Sequence, residues 1–269
     1  MSRTVLLMIF LAAGGCGSRG AGTDAGAASA TSNAAHGEAT TSATPAPHDA
    51  LKGPEVLDTQ GGKLEVHPVH HATVWLDAGG TIVWIDPWTE GDLAGPKADL
   101  ILVTHEHFDH FDPKGIEKVS KAGTKIIGPG SLAEKIPGLV VMKNGEHRDE
   151  GPIGIDAVPA YNKERGPEPG KLYHPKGRDN GYVLSFGGKR VYFSGDTECT
   201  DEMKALTNLD LAFVCMNLPY TMPTAEAAAC VKAMKPKVLV PYHYRGQRLD
   251  DLDEPLAGSG IAVHKHALY

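Results

Sequence analysis

The chain has no excess of positive charge: 26 Lys and Arg stand against 33 Asp and Glu, a net charge of -7 with histidine neutral. A dedicated nucleic-acid binder needs a basic face, so that class is set aside. Also missing are a Gly-x-Ser-x-Gly nucleophile elbow, a Walker phosphate loop, and a glycine fingerprint placed between a strand and a helix. Their absence removes the common serine-hydrolase, nucleotide-hydrolase and dinucleotide-linked readings. No apolar stretch reaches the roughly 20 residues that cross a bilayer as a helix. Cysteine is scarce, with residues 16, 199, 215 and 230 only. Three cysteines after Cys16, widely spaced, fix no pairing, and buried free thiols are the default expectation for Cys199, Cys215 and Cys230.

What is present falls into three zones. Arg3 precedes an apolar run, Val5 to Ala13, and small residues lead on to Cys16. A run so short reads as a cleaved signal rather than a membrane span, giving a signal over 1–15. Residues 16–55 are mostly Gly, Ala, Ser, Thr and Pro, with almost no large apolar side chain. Such a segment cannot offset its ordering entropy by burial and reads as a flexible tether. His36 and His48 within it are read as solvated. Residues 56–269 have globular composition and suffice for one core.

Within that domain the densest chemistry is Thr104-His105-Glu106-His107-Phe108-Asp109-His110. It directly follows the apolar run Leu100-Ile101-Leu102-Val103, which reads as a buried strand. Four metal-binding side chains would then sit on the loop leaving the strand's C-terminal end. Imidazole and carboxylate suit zinc, and also manganese or iron.

Alternating runs predict further strands over 64–69, 72–77, 81–86, 125–128, 139–142, 153–159, 181–186, 190–194 and 209–216, with a hairpin turn at Ala78-Gly79-Gly80. Helices are expected over 113–120, 130–136, 202–206 with Asp201 as its cap, and 224–234. The pattern reads as α/β or α+β.

The motif at His105 resembles that of the metallo-β-lactamase superfamily. Val191-Tyr192-Phe193-Ser194-Gly195-Asp196-Thr197 is similar to its strand ending in Gly-Asp-Thr, and Val238-Leu239-Val240-Pro241-Tyr242-His243 to the strand that delivers its last histidine. Thr81 to Asp86-Pro87 resembles its second strand, and the similarity runs over about residues 60–245. The resemblance implies a four-layer αββα sandwich and two divalent metal ions, zinc first among them. One ion would take His105, His107, His174 and Asp196; the other would take Asp109, His110, Asp196 and His243. Asp109 would also accept a proton while a metal-bound hydroxide attacks a carbonyl or phosphorus.

The superfamily's usual third histidine is replaced by Tyr161-Asn162, and His174 follows in His174-Pro175-Lys176-Gly177. That arrangement resembles the ascorbate-6-phosphate lactonase and N-acyl-phosphatidylethanolamine phospholipase D branch. His174 is therefore the expected replacement ligand, with Asn162 and Tyr161 as neighbours of the metal or substrate. His70 and His71 match a Gly-His-Ala-Ser-like stretch of the same branch, which makes His71 an orienting or substrate residue. His67, His147, His264 and His266 are read as ordinary polar residues.

The expected activity is hydrolysis of a lactone or phosphodiester-type substrate, a small molecule or lipid headgroup. A true β-lactamase and a non-catalytic metal-binding surface lipoprotein are the alternatives. Leu11 to Cys16 is similar to a bacterial lipobox, although Ala13 stands where the pattern prefers Leu. The expected address is the cell envelope, with Cys16 lipidated, anchored in the inner or outer membrane and facing the periplasm.

Overall fold

A computed structural model describes residues 49–269; Cys16, the expected signal and most of the expected tether lie outside the described residues. Apolar residues recurring at every second position pair into two mixed sheets of seven strands each. The first holds β1 (Glu55–Thr59), β2 (Gly62–His70), β3 (Thr73–Ala78), β4 (Thr81–Ile85), β5 (Leu100–Leu102), β6 (Lys125–Gly128) and β7 (Val140–Val141), adjacent in chain order. The second holds β8 (His147–Glu150), β9 (Ile153–Ala160), β10 (Asp179–Phe186), β11 (Lys189–Phe193), β12 (Leu211–Cys215), β13 (Val238–Tyr242) and β14 (Ala262–Val263), likewise in order. Each sheet begins with four antiparallel strands and ends with parallel pairings. The second half thus repeats the first.

Side-chain alternation sets the layers. Leu100 and Leu102 of β5 face a core shared with Ile155, Tyr182 and Val191 of the other sheet. Ile101 and Val103, on the opposite face, pack with Ile116 and Val119 of α1 (Pro113–Val119). Asp112 caps that helix, accepting a hydrogen bond from the Lys114 backbone N–H at 2.9 Å. The second sheet is covered by α3 (Thr224–Met234), which buries Ala227, Ala228, Val231 and Met234, beside the short α2 (Asp201–Lys204) and α4 (Asp253–Leu256). With helices on both outer faces, the architecture is the αββα sandwich expected from the resemblance.

Local expectations need four corrections. Thr200, not Asp201, caps α2, its hydroxyl accepting from the Met203 N–H at 3.1 Å. The helix expected over 130–136 is a 3-10 turn at Gly130–Leu132, since Pro137 lacks the donor a longer helix needs. Ordered pairing starts before residue 56: the Leu51 N–H donates to Lys265 O at 2.7 Å. Cys199 and Cys230 are not free thiols but a disulfide, their Cα atoms 5.6 Å apart. Packing of α2 against α3 closes the 31-residue gap that sequence spacing alone left open. Cys215 stays a buried thiol.

Candidate metal centre

The loops that carry the motif residues all leave one edge of the sandwich. His71 opens the turn after β2, Asp86 follows β4, His105 to His110 follow β5, Asp196 follows β11 and His243 follows β13. His71, Asp86 and His243 adopt left-handed backbone angles, with φ of 54°, 44° and 45°. Non-glycine residues held this way cost energy and concentrate at functional sites. Gly195 is required by space as well as by its φ of 59°: a Cβ there would lie 2.9 Å from Asn180 O and 3.2 Å from Thr104 Cβ. Only glycine lets the Gly-Asp-Thr turn press against the loop bearing the histidines.

Three imidazoles converge on the first site. His107 Nδ1 lies 3.1 Å from His105 Nε2 and 3.2 Å from His174 Nε2. Beside them, Asp196 Oδ2 is 3.5 Å from His174 Nε2. The other oxygen of the same carboxylate faces the second site: Asp196 Oδ1 is 3.4 Å from His110 Nε2 and 3.3 Å from His243 Nε2. Asp109 Oδ2 completes that group, 3.7 Å from His243 Nε2 and 4.0 Å from His110 Nε2. The sequence-predicted residues His105, His107, Asp109, His110, His174, Asp196 and His243 are thus brought together.

The polar atoms of this cluster fit divalent cations. His110 Nε2, His243 Nε2 and Asp196 Oδ1 are buried with no hydrogen-bond partner. Buried polar atoms left unpaired are costly, and three aimed at one point are what a bound cation would satisfy.

A supporting layer fixes three of the rings, those of His105, His110 and His174. Asp86 accepts from the Thr104 N–H at 2.8 Å and the Thr104 hydroxyl at 2.7 Å, and its Oδ2 is 2.8 Å from His110 Nδ1. Thr104 Oγ1 is 3.0 Å from His105 Nδ1. Asn162 is not in the cluster but behind it, its Oδ1 2.7 Å from His174 Nδ1. Such partners set the tautomer and present the opposite nitrogen to a metal. His71 Nε2 lies 3.0 Å from Asp109 Oδ2 and His71 Nδ1 2.6 Å from the Tyr269 hydroxyl.

The Tyr161 hydroxyl donates to Glu202 at 2.9 Å, and the Lys176 ammonium stands over its ring. Its backbone serves the centre instead, bonding Thr197 beside Asp196. His264 and His266 bracket the Glu55 carboxylate at 2.8 Å each. Asp86 and Tyr269 were not anticipated as partners of the cluster. The Asp86-Pro87 pair ending a strand was the one available signal for the former.

Electrostatics favours cations here. Burial pushes His71 and His174 down to about 3. Burial opposes ionisation of Asp109, yet His110, His243 and His71 hold its carboxyl well below the usual range. Burial likewise opposes charge on His110, but Asp196, Asp109 and Asp86 outweigh it and lift that ring to about 10. Ionised carboxylates beside the neutral His174 ring suit a metal, and at His110 the same carboxylates hold a positive charge that a cation would supply in place of the proton.

This fold and donor set define the class of metal-dependent hydrolases built on the metallo-β-lactamase fold, and the Beta-lactamase superfamily domain matches residues 65–243. The chain belongs to the UPF0173 metal-dependent hydrolase family of that superfamily. It is 33% identical over 207 residues to the UPF0173 metal-dependent hydrolase of Anaeromyxobacter dehalogenans strain 2CP-C, covering 68% of this chain and 75% of that one. Identity is also 33% over 192 residues to a Thermus thermophilus member, covering 67% and 84%. Among solved structures, a protein described as a metal-dependent hydrolase from Parabacteroides distasonis is 40% identical with a TM-score of 0.77, covering 81% of this chain and all of that one.

Proposed function

We propose that the centre holds two divalent cations and that the enzyme cleaves a lactone or phosphodiester-type bond in a small molecule or lipid headgroup. The observation that carries this reading is the Asp196 carboxylate, whose two oxygens face different histidine groups at 3.3–3.5 Å. One cation is assigned to His105, His107, His174 and Asp196, the other to Asp109, His110, Asp196 and His243. The donor set suits zinc and tolerates manganese or iron(II). When bound, such a pair supplies Lewis acidity and makes a water acidic enough to ionise near neutral pH. His174 removes the ground for a non-catalytic reading, which rested on the missing third histidine.

The chain's own groups do the rest. The Asp109 side chain is 20% exposed, against 5% for Asp196, so it is the carboxylate of the centre that can exchange a proton with a bound molecule. It accepts the proton of the attacking water at a carboxylate oxygen and returns it to the leaving group. Phe108, 67% exposed between two assigned ligands and edge-on to Trp88, gives the substrate an apolar wall. Cys215 is buried, with its thiol on Thr197 O, and takes no part. That disfavours the β-lactamase class with a zinc-binding cysteine.

The enzyme's address in this reading is the bacterial cell envelope, lipid-anchored at Cys16 and facing the periplasm. The Cys199–Cys230 bond supports it, because disulfides persist in oxidising compartments. Zinc-loaded protein assayed on a lactone, a bis-aryl phosphodiester and a chromogenic cephalosporin tests the activity. Turnover of either of the first two is expected. Turnover of the cephalosporin alone overturns the substrate reading.

A further inference from the structure

We propose that Tyr269 is a positioning residue for the second metal site, acting through His71 on Asp109. The inference rests on the two-cation reading above. The Tyr269 hydroxyl lies 2.6 Å from His71 Nδ1, and His71 Nε2 lies 3.0 Å from Asp109 Oδ2. An ionised carboxylate only accepts hydrogen bonds, so the His71 proton must sit on Nε2 to meet it. A neutral imidazole then presents a lone pair at Nδ1, and the Tyr269 O–H donates to it. The hydroxyl thereby holds His71 in the tautomer that pins one oxygen of Asp109 toward His110 and His243.

The surrounding backbone is built to hold this line of three. Leu268 is tied on both sides, its carbonyl accepting from the His71 N–H at 3.2 Å and its N–H donating to the Tyr244 hydroxyl at 3.0 Å. The His243 N–H in turn donates to His71 O at 3.1 Å. The Tyr269 ring is wedged edge-on against Tyr244 at 4.9 Å, beneath the Arg245 guanidinium. Nothing in this arrangement lets the hydroxyl drift from Nδ1 without moving the turn that carries an assigned ligand.

His71 could instead be a ligand itself, since its ring lies among Asp109, His110 and His243. A double-mutant cycle on the full-length protein, read by zinc titration against a competing chelator, decides between the two. Tyr269→Phe keeps the ring and removes only the hydroxyl. It should weaken the second zinc about 10–100-fold, the usual cost of losing such a partner, while the first zinc binds as in wild type and reports intact folding. His71→Gln supplies an amide N–H to Asp109 without a tautomer to set, so it should keep the second zinc, and adding Tyr269→Phe should then cost nothing further.

An equal loss from Tyr269→Phe in both backgrounds, or wild-type affinity in the single variant, overturns the proposal. Loss of the second zinc in His71→Gln makes His71 a ligand and overturns it too. If wild-type protein takes up fewer than two zinc ions, the two-cation reading has failed first, a separate and visible result.

Discussion

Asn162 accepts two hydrogen bonds from a single residue, the backbone N–H of His174 at 2.8 Å and the Nδ1–H of its ring at 2.7 Å. Its amide nitrogen donates in turn to Glu198 at 3.1 Å and to Tyr220 O at 2.8 Å. Both polar atoms of the Asn162 side chain are therefore engaged, and neither is left for a metal. His174→Ala should abolish binding at the first site. Asn162→Ala should weaken it about 10–100-fold by freeing the ring. Metal content after dialysis against graded chelator checks both, and a reversed order would exchange their roles.

The shared carboxylate makes a sharper prediction. Asp196→Ala should lose both cations together, because each site loses a donor and the buried histidine nitrogens around it gain none. Elemental analysis finding two equivalents on the variant would exclude the bridge.

The motifs were legible because they are local. Three histidines and one aspartate fall within six residues behind an apolar strand, and Gly-Asp-Thr ends another. Strands β1, β8 and β14 were not legible, since they lie at sheet edges, β1 and β8 with polar residues on exposed faces and β14 only two residues long. The contacts of His71 with Tyr269 and of Cys199 with Cys230 bridge 198 and 31 residues, and only the folded topology brings such partners together. The side chains of Tyr161 and Asn162 part ways, one bonding Glu202 and the other His174, and sequence position alone says nothing of which way each turns. In an extended segment, neighbours point to opposite sides.

Glu55 ties the start of the sandwich to its last strand through His264 and His266. Burial opposes ionisation of Glu55, but the hydrogen bonds from His266 and His264 prevail and hold its carboxyl below the ordinary 4.5. A depressed folded-state value stabilises the fold above the unfolded-state value and loses that contribution as pH falls through the folded one. Glu55→Gln should therefore cost about 1–2 kcal/mol at pH 7. The gap to wild type should close as pH is lowered below about 4.5. Urea unfolding of both proteins at pH 7, 5.5 and 4 checks it; a gap independent of pH would contradict the assignment.

The proposed address has its own test. Cys16→Ser should move the protein from the membrane fraction to the soluble envelope fraction. Retention on membranes after a high-salt wash would exclude a lipid anchor at that cysteine.

The repeat of the two sheets has a consequence for how the chain could be taken apart. A cut in residues 142–146, between β7 and β8, would leave His105, His107, Asp109 and His110 on one fragment and His174, Asp196 and His243 on the other. In the proposed assignment each cation draws two donors from either side of that cut, so neither piece alone offers more than half a coordination sphere. Zinc would then act as a rivet, bound only by the reunited pair. Metal uptake by mixed fragments would be a direct gauge of whether the halves had found each other.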